Sequence, residues 1–519
     1  MTHRSHRVAR LRAERRRSRR IAVRGLTLTL GLGVVAQVSV AGPAGGVVVG
    51  GSGSIDGTPG NQVVTQHSAR LAIDWQSFSL APGERTEFRQ PDASSVALNR
   101  VVGGSASTIH GRIVANGQVY LVNPNGVLFG AGAQVDVGGL VASTLDLSTT
   151  DFMAGRTRFT DTGAAGRVDN AGTLTAKEGG YVALLGRQVV NTGTIDAPRG
   201  HVALAAGEQV SLRFDEHSLV DVSVDRATLD ALVENRGAIR ADGGAVLLSA
   251  RARDALLDTV VNNTGVIEAD SVGTSGGVIR LGGGDDGVVQ SSGTLAARGD
   301  DQGEAGGAVE ITGRRIALVD AASVDVSGAA GGGSVRIGGD RQGQGPLPNS
   351  ESVFVGRDTR LDASATTRGD GGEIIVYADR DARIHGRIAA TGGREGGDGG
   401  LVETSGKVSL DVTDMPFVTA TAGAPGTWLI DPLNIVISAT ANQCVGLLGC
   451  VNGPNWTSNA SPATLGANLI TAALNAGQNV TITTGAVGPE DGDITLLGSP
   501  VIQKSAGAAD VTLTLSAQR

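Results

Sequence analysis

Few side chains in this 519-residue sequence have the type and spacing for covalent or metal chemistry. Seven histidines are scattered, and none sits at metal-ligand spacing from a cysteine, so no metal site is assigned. Cys444 and Cys450 are the only cysteines; six apart, they either close a small disulfide loop or remain two thiols. Acidic residues gather in short groups beside glycines, at Asp242, Asp285-Asp286, Asp300-Asp301 and Asp398. A polysaccharide lyase or hydrolase needs carboxylates and arginines massed on one face, whereas acids at turns read as solvated corners that keep edges soluble. No catalytic residue is therefore assigned. Arg-Gly-Asp occurs at 298–300 and at 368–370, in a chain rich in all three residues, and is read as a product of composition. Sequons stand at Asn262, Asn455, Asn459 and Asn479. What remains is Asn123-Pro124-Asn125-Gly126, whose chemistry is hydrogen bonding and shape. Pro124 fixes φ, Asn125 tolerates unusual backbone angles and Gly126 completes a tight turn.

Two runs of alternating apolar residues meet at that tetrapeptide. Ile109, Ile113, Val119 and Leu121 precede it, and Val127, Phe129, Val135 and Val137 follow. Period-two alternation puts them on one face of successive strands. Two units then recur. One is a glycine before an alternating strand, as in GGYVAL at 179, RGHVAL at 199, GGAVLL at 243, GGVIRL at 276 and onward to GGLVET at 399. The other is a corner before an apolar pair: NAGTL at Asn170, NTGTI at Asn191, NRGAI at Asn235, NTGVI at Asn263 and SSGTL at Ser291. The corner glycines step by 21, 44, 28 and 28 residues, and 44 reads as two steps of 22. Such periods describe coils of a parallel β-solenoid. Inward aliphatics stack on equivalents in the next coil, corner asparagines stack through their amides, and glycines serve corners that require φ > 0. With 80 glycines, 3% aromatics and 40% apolar residues, a narrow aliphatic core is expected.

The ends differ from the middle. Ten arginines fall in the first 24 residues, and Leu26–Val40 is mostly apolar before small residues at 41–46, which together read as a secretory leader over 1–44. Without those 24 residues the chain carries 33 basic and 50 acidic residues, a net of −17, which argues against a nucleic-acid partner. Ile73, Trp75, Phe78, Leu80 and Phe88 bring bulk to one end, as a cap over an open core would. From Gly426 the texture changes. One helix is predicted over Ser461–Ala476, with Ser461 as N-cap, Pro462 at the first helical position, Gly477 closing the end, and Leu465, Leu469, Ile470 and Leu474 on one face. The chain stops within a strand pattern, and a longer product is expected.

The segments IDWQSFSL (Ile73–Leu80), FRQP (Phe88–Pro91), ALNRVVGG (Ala97–Gly104) and IHGRIVANGQVYLVNPNGVLFG (Ile109–Gly130), in that order behind a basic leader, resemble the secreted partner of two-partner secretion. That family is typified by filamentous haemagglutinin and the high-molecular-weight adhesins, whose repeat region GTWLIDPLNIVI (Gly426–Ile437) also resembles. The resemblance implies an all-β, right-handed parallel β-helix with an N-terminal cap. It implies a secretion domain over 45–300, further β-helix over 301–425, and a small C-terminal β-rich unit with one helix over 426–519. It also implies Sec export, then recognition by an outer-membrane β-barrel transporter with periplasmic binding modules. Asn99, Asn123, Pro124, Asn125 and Gly126 match the positions tied to secretion competence. A surface-exposed or released adhesin that binds a host or bacterial receptor or glycan, with no enzyme activity and no cofactor, is expected. A contact-dependent inhibition toxin or cytolysin with its effector elsewhere, and a β-helix carbohydrate-active enzyme, are the alternatives.

Overall fold

The computed structural model describes residues 42–215, 218–253, 259–439, 463–485 and 491–518. Most of the leader, both cysteines, the sequons at Asn455 and Asn459, and Ser461-Pro462 lie outside the described residues.

The chain winds as a parallel β-helix behind an antiparallel cap. Val47–Gly50 pairs antiparallel with Arg70–Trp75, and Gly53–Thr58 with Asn61–Gln66. Beyond them the coil strands pair parallel: Asn61–Gln66 with Arg85–Arg89, and Arg70–Trp75 with Val96–Val101. Cap chemistry is visible in Trp75 and Phe78, both buried with rings edge-on at 5.5 Å. The expected stacking of inward aliphatics is seen as one unbroken column. It runs Ile113, Val135, Leu174, Ile195, Ile239, Ile267, Leu295, Val324, Leu361, Ile388, each the register partner of the next. None is more than 4% exposed, so each contributes on the order of 1.5–3 kcal/mol by burial.

Two excursions leave the coil. One carries the helix Thr149–Met153 (α1), started by Ser148, whose Oγ accepts the Asp151 N–H at 3.1 Å and donates to the Asp151 carboxylate at 2.7 Å. The other is the hairpin Gln209–Asp215 with Ser218–Arg226. The 44-residue step is therefore one coil plus this hairpin: Asn191 registers directly with Asn235, and Ile195 with Ile239. The two excursions join through Arg158–Thr160 and Gln209–Ser211, covering a second apolar cluster outside the coil that includes Leu98, Tyr120, Phe159 and Tyr181.

After Gly426 the strands keep the coil's pairing: Thr427–Ile430 sits on Leu401–Gly406, and Asn479–Thr483 on Thr427–Ile430. The helix there (α2) is Ala467–Asn475, shorter than predicted. Ala463–Gly466 is a strand paired parallel with Ile435–Ser438, and Leu465 is buried in its core. Sheet pairing wins over the Ser-Pro start signal, and the N-cap is Gly466. Gly477, at φ +80, ends α2 as expected, its N–H donating to the Leu474 carbonyl at 3.1 Å.

Candidate functional site: the turn Asn123–Gly126 and its neighbours

Strand Gln118–Val122 delivers Asn123 into a corner, and strand Val127–Phe129 leaves it. The Gly126 N–H donates to the Asn123 carbonyl at 3.0 Å, closing the predicted four-residue turn. Gly126 has φ +126, a region favouring glycine. Asn123 is fully buried, and its side chain spans two coils. Its Nδ2 donates to the Ser105 carbonyl and to Ser107 Oγ, both at 3.0 Å, while its Oδ1 accepts the Asn125 N–H at 3.0 Å. Asn125 is exposed, yet its Nδ2 reaches the Gly103 carbonyl at 3.0 Å. The turn thus clamps residues 103–107 of the coil before it with neutral hydrogen bonds.

Asn99 lies close by but belongs to a different network. Also fully buried, it accepts the Trp75 indole N–H at 3.0 Å and donates to the carbonyls of Ala97 and Tyr120. It registers with Leu121, two residues before the turn, and among the described residues shares no hydrogen-bond partner with Asn123. It ties the cap's tryptophan to the first coils.

The corner asparagines form a ladder. Asn170 Nδ2 donates to Asn191 Oδ1, Asn191 to Asn235, and Asn235 to Asn263, each at 2.8 Å; Asn263 ends on Ser291 Oγ at 3.2 Å. All five are buried. Phe129 holds the equivalent place before the ladder and Leu318 after it. Asn191→Ala strands one buried donor on Asn170 and one buried acceptor on Asn235. The expected cost is ~2 kcal/mol, seen as faster amide exchange in strands Gln188–Asn191 and Leu232–Asn235 while strand Glu373–Ala378 is unaffected. Uniform exchange across the three strands would count against a local ladder.

The Arg-Gly-Asp tripeptides bond to neighbouring coils, with Asp300, Arg368 and Asp370 exposed. Arg298 pairs with Asp270 at 2.8 Å and with Asp300 at 3.6 Å, and the Asp370 carboxylate accepts the Asp398 N–H at 2.7 Å. The acids flagged at corners act similarly: Asp242 accepts the Asp270 N–H at 3.2 Å, and Asp398 accepts the Ala424 N–H at 2.7 Å.

One buried carboxyl was not singled out by its sequence context. Glu403 is fully buried, and both its oxygens accept the Gln342 N–H, at 3.1 and 2.9 Å. Desolvation is the main cause that pushes its pKa up to about 7; Asp431 acts in the same direction, whereas the Gln342 N–H and Lys407 oppose it. A carboxyl raised above its unfolded value stabilises the fold below about 4.5, and that contribution is lost as pH rises through about 7. Glu403→Gln should therefore gain on the parent between pH 5 and 8, by up to ~3 kcal/mol. Thermal melts of both proteins across that range check it, and a pH-independent gap excludes it.

The architecture defines a class: a capped parallel β-helix whose first coils carry an asparagine-rich turn. The chain belongs to the TPS secretion domain family, whose model matches residues 40–311. That family comprises the secreted partners of two-partner secretion, which reach the cell surface or the medium. The crystal structure of the HMW1 secretion domain from Haemophilus influenzae matches with TM-score 0.66 and 30% identity, over 75% of this chain and all of that one. The Heme/hemopexin-binding protein of Haemophilus influenzae (strain ATCC 51907 / DSM 11121 / KW20 / Rd) is 32% identical over 386 residues, 72% of this chain and 41% of the relative. A Heme/hemopexin-binding protein of Haemophilus influenzae is 30% identical over 223 residues, 38% of this chain and 24% of that one. The chain thus spans less than half the length of these curated relatives.

Proposed function

We propose that this chain is a non-enzymatic adhesin whose N-terminal part directs its own export. After Sec passage it is taken by an outer-membrane β-barrel transporter with periplasmic binding modules, and the β-helix then serves as a binding stalk at the surface or in the medium. The observation that carries the export reading is position: the turn Asn123–Gly126 lies within the matched span 40–311, in the coils that follow the cap. Asn99, Asn123, Pro124, Asn125 and Gly126 are its residues. Support for a binding rather than catalytic role comes from the acids, many of which are neutralised along the coils. Arg240–Glu268, Arg280–Glu310 and Arg336–Glu373 each pair at 2.7 Å. Co-expression with and without a partner transporter of this secretion class tests export, and adherence of transporter-positive cells to a host-cell monolayer tests the adhesin.

A second reading follows from the relatives named Heme/hemopexin-binding protein, similar over 72% of this chain in one case: capture of haem or hemopexin. The exported protein separates the two. A haem absorbance band or retention on immobilised hemopexin, without cell adherence, favours capture; adherence alone favours the adhesin.

A further inference from the structure

A cavity of about 360 Å³ lies outside the coil, under the two excursions. Arg70, Val96, Gln118, Tyr120, Thr157 and Phe214 line it. Its volume is at the small end of ligand pockets.

Arg70 is a cation with no carboxylate partner within ion-pair distance among the described residues. Its Nη1 donates to the Phe152 carbonyl at 3.3 Å, and its guanidinium carbon lies 5.4 Å from the Phe152 ring centroid. One bond leaves most of its five N–H donors unused. Gln118 is the second donor. Only 7% exposed, it takes the Tyr181 hydroxyl on Oε1 at 2.6 Å, and the Tyr120 oxygen stands 3.1 Å from the same hydroxyl. The Tyr181 hydroxyl is thus the donor that Gln118 Oε1 and the Tyr120 oxygen share. With Oε1 accepting from Tyr181, Nε2 is the other end of the amide, and it has no protein hydrogen bond among the described residues. Nε2 is not sealed from solvent, so it is available to an acceptor that enters the cavity. Val96 and Phe214 supply apolar wall, Phe214 packing on Tyr181 at 5.2 Å between ring centroids.

We propose that this cavity binds a small organic carboxylate with an apolar body, its carboxylate between the Arg70 guanidinium and Gln118 Nε2 and its body against Val96 and Phe214. An arginine fork matches a carboxylate in two parallel bonds, and no acid on the wall competes for it. The same chemistry is presented by a free acid or by the C-terminal residue of a peptide.

The test titrates the full chain, by calorimetry and saturation-transfer NMR, with 3-phenylpropionate, its amide, and a tripeptide ending in phenylalanine as acid or amide. Binding of an acid at least about tenfold tighter than its amide supports the site; the free acid or the peptide acid binding tighter assigns the source. Arg70→Gln should lose about tenfold or more in acid affinity, the loss of ~1.4 kcal/mol or more. Phe214→Ala, at a half-buried position, should weaken acid and amide alike, and it decides the matter if Arg70→Gln does not fold. Equal binding of acid and amide, absence of acid binding at millimolar concentration, or a well-folded Arg70→Gln or Phe214→Ala that binds as the parent does overturns the proposal.

Discussion

With alanine at both Asn123 and Asn125, export should fall about tenfold while the amount synthesised stays constant. That is the effect expected from losing two neutral hydrogen-bonding side chains at a recognition step, at 0.5–1.5 kcal/mol each. The folded turn makes the direction informative. Asn123 is fully buried, with its amide spent on Ser105, Ser107 and Asn125, so a transporter meeting the finished coil would find only Asn125 and part of Pro124. If Asn123 is itself recognised, that recognition belongs to a state in which this coil is not yet formed. Ser107→Ala separates the roles, since it removes a partner of Asn123 in the fold and leaves the turn residues themselves intact. If export follows the asparagines and ignores Ser107→Ala, the side chains are read before folding. Should Ser107→Ala depress export as strongly, formation of the corner is the signal. Unchanged export in the double variant leaves the tetrapeptide as a turn alone. Export is quantified by immunoblot of medium against cell lysate.

Much of the architecture is legible in the sequence because a solenoid repeats its local rules. Period-two alternation marked Ile113 and Val135 of the column, and the recurrent Asn-x-Gly corner marked both the next column residues, Leu174 to Leu295, and the amide ladder from Asn170 to Asn263. Reading failed where tertiary contacts override a local signal. The 44-residue step resembled two coils because a hairpin, like a coil, alternates apolar residues; only register shows Asn191 meeting Asn235 directly. Helix α1 did carry a signal, Ser148 three residues before Asp151, but five residues are too few for a periodic face. The start of α2 was misplaced because Ala463–Gly466 is held by a neighbouring strand, which no local propensity encodes. Glu403 and the Arg70–Gln118 pair were invisible for a related reason. Glu403 meets Gln342 from 61 residues away, and Arg70 and Gln118, 48 residues apart, line one cavity; winding brings each set together.

The glycines carry the second large prediction, and they correct an expectation. Only part of the repeat glycine is explained by φ > 0: Gly179 and Gly243, the first of their pairs, have φ +73 and +70. Arg199, first in RGHVAL, adopts φ +51 at the same place. The second glycine of each pair answers to a different constraint. A Cβ on Gly180 would lie 2.0 Å from the Gly138 carbonyl oxygen, on Gly200 2.0 Å from that of Gly180, and on Gly244 1.9 Å from that of Gly200. The column continues with Gly307 against Gly277, Gly333 against Gly307, Gly372 against Gly333 and Gly400 against Gly372, all between 1.9 and 2.1 Å. Here the backbone of one coil occupies the space a side chain would need, and the obstructing atom is a carbonyl engaged in the ladder: Gly200 O accepts the Ala245 N–H at 3.0 Å. Neither side can yield without opening the coil. Gly244→Ala should thus cost ~4 kcal/mol, beyond the usual range for overpacking because backbone rather than a rotatable side chain must move. The damage should concentrate between strands His201–Ala206 and Ala245–Ala250, which flank the contact. Gly83→Ala is the control: its φ is +87, but nothing lies within 4 Å of its Cβ, so it should cost only the ~1 kcal/mol of the backbone conformation. Hydrogen exchange on both variants decides it. If Gly244→Ala is no worse than Gly83→Ala, close approach is not what reserves these positions for glycine.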